Sequence, residues 1–192
     1  MIQANQGKSL GELLQQSVGV SVVGARSAPG TNQEIYVRGA NTGQVLLLMD
    51  GFPLNDPSHI SSVMDWNLIN LANIERIEIL KGGQSTLYGS DAMAAVINLV
   101  TLKNAKGLNV VLQGGGLGTH QEQISWSTRQ GNNQLQVQAQ NFATNGFSSA
   151  KIAQGNAEAD GFKQQSWGLK WSRDMGEKGN VDFSYSTQLY QG

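Results

Sequence analysis

The chain has 192 residues, a length that suits one domain or two small ones. Charged residues make up 14% of it, well below the roughly one quarter usual in soluble domains, and the net charge is −1. Because no basic stripe is present, the composition argues against nucleic acid as a partner. The absence of cysteine excludes a disulfide scaffold and thiol chemistry.

Neither a membrane-spanning helix nor a signal peptide is visible in the sequence. The longest apolar runs, 45–49 and 92–100, are shorter than the roughly 18 residues that a membrane helix needs. The first ten residues contain neither a basic n-region nor an apolar h-region, so no signal peptide is visible. These features indicate either a cytosolic protein or a fragment whose front has been removed.

Up to about Lys103 the pattern mixes short helices and short strands, which predicts a compact α+β unit. Ser9 and Glu12 have the spacing of a capping box, so a helix is predicted from Ser9 to Gln16. The other predicted elements are strands over 33–38, 44–49 and 74–80, a turn at Asp50-Gly51, an exposed loop over 52–59 and a helical turn capped by Asp65.

After Lys103 apolar and polar residues alternate. In 134–144 the residues Leu135, Val137 and Ala139 share one face, and glutamines occupy the other. The pattern recurs along the rest of the chain and predicts five strands of an antiparallel meander from about Leu108, with a long loop over 145–163. One interpretation is an antiparallel sheet of a soluble protein, with one face in contact with water.

Two details favour the wall of a membrane barrel over a soluble sheet. The polar face consists mainly of uncharged side chains, and short turns alternate with one long connection, as in outer-membrane barrels. The apolar face also carries aromatic residues near the strand ends, namely Trp126, Trp167, Trp171, Phe183, Tyr185 and Tyr190.

Three separated motifs carry a family resemblance. They are "IYVRGA" (35–40), "VLLLMDGFPLND" (45–56) and "IERIEILKGGQSTLYGSDAMAAVINLVT" (74–101), and in this order the chain resembles the TonB-dependent outer-membrane receptors. The segments "LYGSDAMAAVINLVT" and "GFKQQSWGLKWSRD" are similar to the cobalamin-transporter-like branch. The resemblance implies an α+β plug domain (1–103) followed by an antiparallel β-meander (104–192), the first strands of a partial transmembrane β-barrel.

The resemblance also implies a function. In this family a barrel of about 22 strands is closed by the plug, and a scarce ligand such as a siderophore or cobalamin binds to plug apices and outer loops. The TonB complex then remodels the plug. We therefore expect an outer-membrane location and contact with outer-membrane lipid.

The resemblance assigns one pair of basic residues to the contact between plug and barrel. Arg38 of "VRG" matches an arginine that faces acidic residues of the barrel wall, and Lys81 stands where a second arginine is usual. Lysine keeps the charge but loses the bidentate fork. Gly83 replaces a usual proline, which loosens that turn. The alternative for both cations is an ordinary solvated surface charge.

Ligand-facing plug loops are expected at two places. The segments "ANTG" and "NDPSH" supply the candidates, which are Asn41, Thr42, Asn55, Asp56, Ser58 and His59. An ordinary polar loop is the alternative for each.

A possible calcium loop lies further along the chain. Asn156, Glu158 and Asp160 alternate before a glycine, as at the start of a calcium loop, although Trp167 at position twelve excludes an EF-hand. A solvated acidic loop is the alternative.

No enzyme is expected. His59 and His120 are the only histidines, and no nucleophile elbow or zinc-protease motif is present. A soluble secreted β-rich module that binds a ligand or carbohydrate, and a purely structural fragment, remain as alternatives. Because five strands leave an unpaired edge and a bare apolar face, the isolated chain is expected to self-associate or to need detergent.

Overall fold

The computed structural model describes residues 8–25, 27, 33–54, 66, 69, 71, 74–102, 106–148 and 159–191. These residues form two compact units. The first contains the described residues up to Leu102, and the second contains those from Lys106 onward. Each unit is built around its own set of β-strands.

The first unit begins with helix α1, Leu10–Leu14. The predicted capping box is confirmed, because the Glu12 N–H donates to the Ser9 hydroxyl at 3.2 Å and the Ser9 N–H donates to the Glu12 carboxylate at 2.9 Å. The helix ends two residues before the predicted Gln16. Within the described ranges, no helix is both long enough and apolar enough to cross a bilayer.

A two-stranded antiparallel sheet follows α1. It consists of β1, Val20–Val23, and β2, Glu34–Val37. The prediction of β2 over 33–38 is confirmed, whereas β1 was missed. Four residues between two turns give too short an alternation to be recognised, and β1 is defined by its pairing with β2.

The main sheet of the first unit has four strands in the order β4-β3-β6-β5. The central strands β3 and β6 are parallel, and the two edge strands are antiparallel to their neighbours. The strands are β3, Val45–Met49; β4, Phe52–Pro53; β5, Ile74–Lys81; and β6, Ala95–Thr101, with the short helix α2, Ser85–Tyr88, between β5 and β6.

The strand β4 corrects the prediction of a loop over 52–59. Phe52 and Pro53 pair with Met49 and Leu48, and both are exposed. A proline is tolerated there because an edge strand has one side without a ladder partner. The remainder of that predicted loop after Leu54, and the predicted cap at Asp65, lie outside the described residues.

The core of the first unit is formed by residues of α1 and of both sheets. Leu47 and Ile97 are almost completely buried, as expected for strands that are covered on both faces. Leu10 and Leu14 of α1 contribute to the same cluster with Ile35. The sequence pattern of apolar runs without alternation in β3 and β6 reflects this two-sided burial.

The predicted turn at Asp50-Gly51 is confirmed and is anchored to β6. Both residues have positive φ, 51° and 88°. The Asp50 carboxylate accepts hydrogen bonds from the Thr101 N–H at 2.9 Å and from the Thr101 hydroxyl at 2.6 Å. The Asn98 side chain accepts from the Gly51 N–H at 3.1 Å and donates to Glu78 on β5 at 3.0 Å. Polar side chains thus connect β3, β6 and β5 at the surface of the sheet.

The second unit is a five-stranded antiparallel meander, which confirms the predicted architecture. Its order β11-β10-β9-β8-β7 follows the sequence without a crossover. The strands are β7, Gly107–Gly114; β8, His120–Gln130; β9, Asn133–Thr144; β10, Phe162–Asp174; and β11, Asn180–Gln191. Strand β10 begins at Phe162, one residue before the end of the predicted long loop.

Candidate functional site

One face of the meander is apolar and exposed. Leu108 and Ile124 are 64% and 47% exposed, and Trp126, Trp167 and Tyr185 lie on the same face. A shallow groove on this face is lined almost entirely by apolar atoms. A contiguous surface of this kind is suited to an apolar environment and is unusual in a soluble domain.

The opposite face is polar and partly buried. Gln123 and Ser127 of β8 and Gln136 of β9 are each less than 9% exposed, as is Ser166 of β10. This arrangement is the reverse of a soluble sheet, in which the apolar face is buried. It is the arrangement of an outer-membrane barrel wall, whose interior is polar.

A glycine on the polar face makes room for one of its glutamines. Gly168 of β10 lies opposite Gln138 of β9, and a Cβ atom at Gly168 would lie 2.7 Å from the Gln138 amide nitrogen. The Gln138 amide oxygen makes no hydrogen bond within the described part of the chain, and the same holds for one amide atom of Gln134 and of Gln140. Because such groups require partners, this face is suited to water or a polar ligand. The sequence analysis missed Gly168, although a glycine inside a regular strand is the signal of close packing.

The pairing register defines the height of the apolar band. A polar row at one end joins Gln130, Asn133 and Arg173, and a polar row at the other end includes Glu122 and Gln165. These rows are eight residues apart on β8, or about 27 Å along the strand. With a strand tilt of about 40° the band would be about 21 Å high, close to the roughly 25 Å of an outer-membrane barrel.

The two predicted basic residues converge on one turn of the first unit. The backbone N–H of Arg38 donates to the Gly19 carbonyl at 2.9 Å, and the Lys81 side-chain ammonium donates to the Val18 carbonyl. Arg38 is exposed, has positive φ (51°), and its guanidinium makes no hydrogen bond or ion pair with another described residue. The α1–β1 turn therefore contacts both residues, Arg38 through its backbone and Lys81 through its ammonium, which the sequence analysis did not foresee.

Two of the predicted ligand-facing residues lie in a 3₁₀ turn before β3. The Thr42 hydroxyl accepts from the Ile35 N–H at 2.8 Å and donates to the Ile35 carbonyl at 3.1 Å, so it is engaged in holding the turn on β2. Asn41 is exposed and makes no capping hydrogen bond. Asn55, Asp56, Ser58 and His59 lie outside the described residues.

The connections β7–β8 and β9–β10 meet at one end of the meander. The Thr119 and Thr144 hydroxyls are 2.8 Å apart, and the Asn145 N–H donates to the Leu117 carbonyl at 2.9 Å. Gly146 has positive φ (66°), and a Cβ atom there would lie 1.8 Å from the Asp160 carbonyl oxygen. The two ends of the β9–β10 loop are therefore in close backbone contact.

The predicted calcium residues are only partly described. Asp160 is exposed, whereas Asn156 and Glu158 lie outside the described residues. No cluster of three or more acidic, histidine or cysteine side chains occurs in the ranges that the structure covers.

Comparison with known proteins agrees with this architecture. The family profile "TonB-dependent Receptor Plug Domain" matches residues 1–96. The vitamin B12 transporter BtuB of Vibrio vulnificus is 32% identical over 187 residues, which cover 96% of this chain and 28% of that protein. BtuB of Photobacterium profundum is 36% identical over 116 residues, covering 60% of this chain and 18% of that protein. The chain thus spans less than a third of the curated relatives that it matches.

Solved structures show the same fold at lower identity. The pyoverdine outer membrane receptor FpvA of Pseudomonas aeruginosa has a TM-score of 0.70 and 18% identity, covering 93% of this chain and 25% of the receptor. The copper transporter OprC has a TM-score of 0.74 and 15% identity, covering 94% of this chain and 28% of the transporter. The first unit corresponds to their plug and the meander to barrel strands. The chain therefore belongs to the TonB-dependent receptor family, with a plug domain and an incomplete set of barrel strands.

Proposed function

We propose that this chain is part of an outer-membrane receptor that takes up a scarce ligand of the cobalamin class by TonB-driven transport. The observation that carries the proposal is the 32% identity with a vitamin B12 transporter, which extends over 187 residues and therefore through both units. The relatives that we compared are named as transporters or receptors, and we propose no catalytic role for the chain.

The inverted sheet supports the membrane part of this proposal. The exposed Leu108, Ile124 and Trp126 supply a lipid-facing surface, and the buried amide face supplies the wall of a polar lumen. A soluble carbohydrate-binding module would have the opposite arrangement, with its apolar face buried.

The basic turn supports a contact between plug and barrel. The α1–β1 turn contacts Arg38 through its backbone and Lys81 through its ammonium, and an acidic patch on a barrel wall would complement the two side chains. Because the guanidinium of Arg38 has no partner among the described residues, it is the better placed of the two to form an ion pair.

A chimeric receptor tests the transport proposal. The segment of the Vibrio vulnificus transporter that aligns with this chain would be replaced by the chain, and the chimera produced in a cobalamin auxotroph without its own transporter. We expect growth on low cyanocobalamin that depends on TonB. A chimera that is folded in the outer membrane but gives no cobalamin-dependent growth would contradict the proposal.

Calcium binding in the β9–β10 loop remains part of the proposal. The backbone contact between Gly146 and Asp160 brings the two ends of that loop together, which would help to assemble a cation site. Calcium titration of the chain, with Asp160→Asn as the variant and Asp174→Asn as the control, tests it. Equal binding by the two variants would exclude Asp160 as a ligand.

A further inference from the structure

The groove on the apolar face of the meander lies over a small residue. Ala139 of β9 is paired with Ile124 of β8 on one side and with Trp167 of β10 on the other. Its methyl group leaves a depression between these larger side chains, and Trp126 and Leu169 of the next row complete the lining. The groove has a volume of about 330 Å³, which is enough for a small apolar group.

An apolar path connects this groove to one end of β10. Leu169, Trp171 and Arg173 follow one another at alternate positions, so their side chains lie on the same face of the sheet. Trp171 is paired with Leu135 of β9 and with Phe183 of β11, which widen the path on both sides. The path ends at the cation Arg173.

The Arg173 side chain is free to bind a group from outside the protein. It is exposed, and its guanidinium makes no hydrogen bond or ion pair with another described residue. Gln130 and Asn133, which share its polar row, are uncharged. Asp174 and Asp182 lie on the opposite face, because they alternate with Arg173 and with its partner on β11. An unpaired guanidinium beside an apolar surface is suited to an anionic amphiphile.

The other end of β10 is less suitable for an anion. Lys163 is an exposed cation on the same face, and it is as far from the groove as Arg173 is. Gln165 lies between Lys163 and the groove, in one row with Asn141 and Glu122. The Asn141 amide donates to the Glu122 carboxylate at 2.6 Å. This row interrupts the apolar path and adds a negative charge.

The distance from Arg173 to the groove matches the thickness of one lipid leaflet. Leu169 and Trp167 are four and six residues away from it, which corresponds to about 13–20 Å along the strand. With a strand tilt of about 40° the difference in height is about 10–15 Å, roughly half of the hydrocarbon core of a bilayer. Arg173 therefore lies at the level of lipid headgroups when the groove lies where acyl chains end.

We propose that Arg173 and the groove bind one phospholipid molecule, with the phosphate at the guanidinium and one acyl chain extending over Trp171 into the groove. The planar guanidinium can donate two parallel hydrogen bonds to a phosphate. Arg173 lies at the end of the meander that has the short turns, which face the periplasm in outer-membrane barrels, so the lipid belongs to the periplasmic leaflet. The inference rests on the membrane part of the proposed function and not on the transported ligand.

Quenching of tryptophan fluorescence by brominated lipids tests this site. The 192-residue chain in non-ionic detergent micelles is titrated with phosphatidylglycerol that carries brominated acyl chains, or with diacylglycerol that carries the same chains. Trp126, Trp167 and Trp171 then report bromine in the groove and along the path. We expect saturable quenching, with half-saturation at an about fivefold lower mole fraction for the phospholipid. Quenching that does not saturate, or that is equal for the two lipids, would overturn the proposal.

Two charge variants test the role of Arg173. Arg173→Gln and Lys163→Gln each remove one exposed cation from the same face of β10. We expect Arg173→Gln to abolish the preference for the phospholipid and Lys163→Gln to retain it. Circular dichroism verifies that the compared variants have equal strand content. If both variants lost the preference equally, the phosphate would be attracted by net charge alone, and the assignment to Arg173 would be wrong.

Two alanine variants test the groove. Ala139→Leu fills the depression, whereas Ala143→Leu makes the same change four residues further along the same face of β9, outside the groove. We expect Ala139→Leu to weaken quenching by both lipids and Ala143→Leu to leave it unchanged. Equal quenching in the two variants would show that no acyl chain occupies the groove. The titration contains neither cobalamin nor TonB, so its failure is distinguishable from a failure of the chimeric receptor assay.

Discussion

In the four-stranded sheet the apolar side chains are inside and the charges are outside, whereas the five-stranded sheet buries amides and exposes leucine, tryptophan and phenylalanine. Ile97 in β6 and Ile124 in β8 illustrate the contrast, with 0% and 47% of their surfaces exposed. Strand formation is common to both units, and what differs is the medium that each unit is built for. The four-stranded sheet has the pattern expected in water, and the exposed apolar face of the five-stranded sheet has the pattern expected in lipid.

The largest expected effect comes from the core of the first unit. Ile97→Ala leaves a cavity in a fully buried site and should lower the free energy of unfolding by about 2–5 kcal/mol. The matched control is Ile124→Ala, which removes the same atoms from an exposed position and should cost far less. Hydrogen exchange in the full chain, read at the β3 and β6 amides for Ile97→Ala and at the β8 and β9 amides for Ile124→Ala, measures the two losses. Equal losses of protection would contradict the contrast between the sheets.

A charge on the exposed face of the meander should have the next largest effect. Val137→Arg introduces a cation in the middle of the apolar band, and in lipid we expect a loss of about 2–4 kcal/mol. Gln165→Arg places the same residue in a polar row of that face and should cost about 0–1 kcal/mol. Urea unfolding in lipid vesicles, followed by tryptophan fluorescence, measures both. If the two variants were equally stable, the band would not lie in lipid.

The carboxylate of Asp50 should matter less than either. Its two hydrogen bonds to Thr101 connect the turn after β3 to the end of β6, and Asp50→Ala should lower the free energy of unfolding by about 2–3 kcal/mol. Asp50→Asn retains an acceptor and tolerates the positive φ, so it is the control. A double-mutant cycle with Thr101→Val isolates the interaction. Additive effects would show that the pair is not coupled.

The capping box of α1 should contribute about 1 kcal/mol. Ser9→Ala removes the acceptor of the Glu12 N–H and leaves the rest of the helix unchanged. Ser9→Asn, which retains a capping group, should be close to the unmodified chain. Denaturant unfolding of the full chain compares the two, and no difference between them would exclude a capping role.

The smallest effect is expected at Tyr36. Its hydroxyl donates to the Glu34 carboxylate at 2.6 Å, and this bond, the nearby negative charge and burial raise the pKa of Tyr36 above its ordinary value of 10.0. The folded chain therefore holds this proton more tightly than the unfolded chain. The resulting stabilisation is present below pH 10 and is lost as the pH rises through the raised pKa.

Ultraviolet titration between pH 9 and 12 measures this shift. We expect Tyr36→Phe to remove the tyrosine ionisation with the raised midpoint, and Tyr88→Phe to retain it. Glu34→Gln should lower the midpoint of Tyr36, because the charge that opposes its ionisation is gone. An unchanged midpoint in Glu34→Gln would mean that Glu34 is not the cause.

The sequence predicts most elements of the architecture because each local pattern indicates one type of element. Alternation over 134–144 requires two unlike faces, and a serine followed three residues later by glutamate satisfies donors at a helix start. What alternation cannot define is which face is buried, and the uncharged polar face and the connection lengths only favoured the membrane interpretation. The short strand β1 and the two-residue β4 were missed because both depend on pairing partners and not on local pattern.

The candidate site could be predicted only in part. Arg38 and Lys81 are 43 positions apart and were chosen from separate motifs, and their convergence on the α1–β1 turn is a property of the folded chain. Thr42 was predicted to lie in a ligand-facing loop from its residue type and motif, and its hydroxyl bonds to both backbone groups of Ile35. Residue type defines which hydrogen bonds a side chain can form, whereas the neighbouring residues in the folded chain determine which of them it forms.

The hydrogen bonds that join Thr119 to Thr144 and Leu117 to Asn145 have an evolutionary consequence. They join the end of β9 and the start of the β9–β10 connection to the β7–β8 connection through two hydroxyls and one pair of backbone groups. Substitutions beyond this stem leave these bonds intact. A lineage could therefore change the residues presented at this end of the sheet without repeating the selection that made the strands fold.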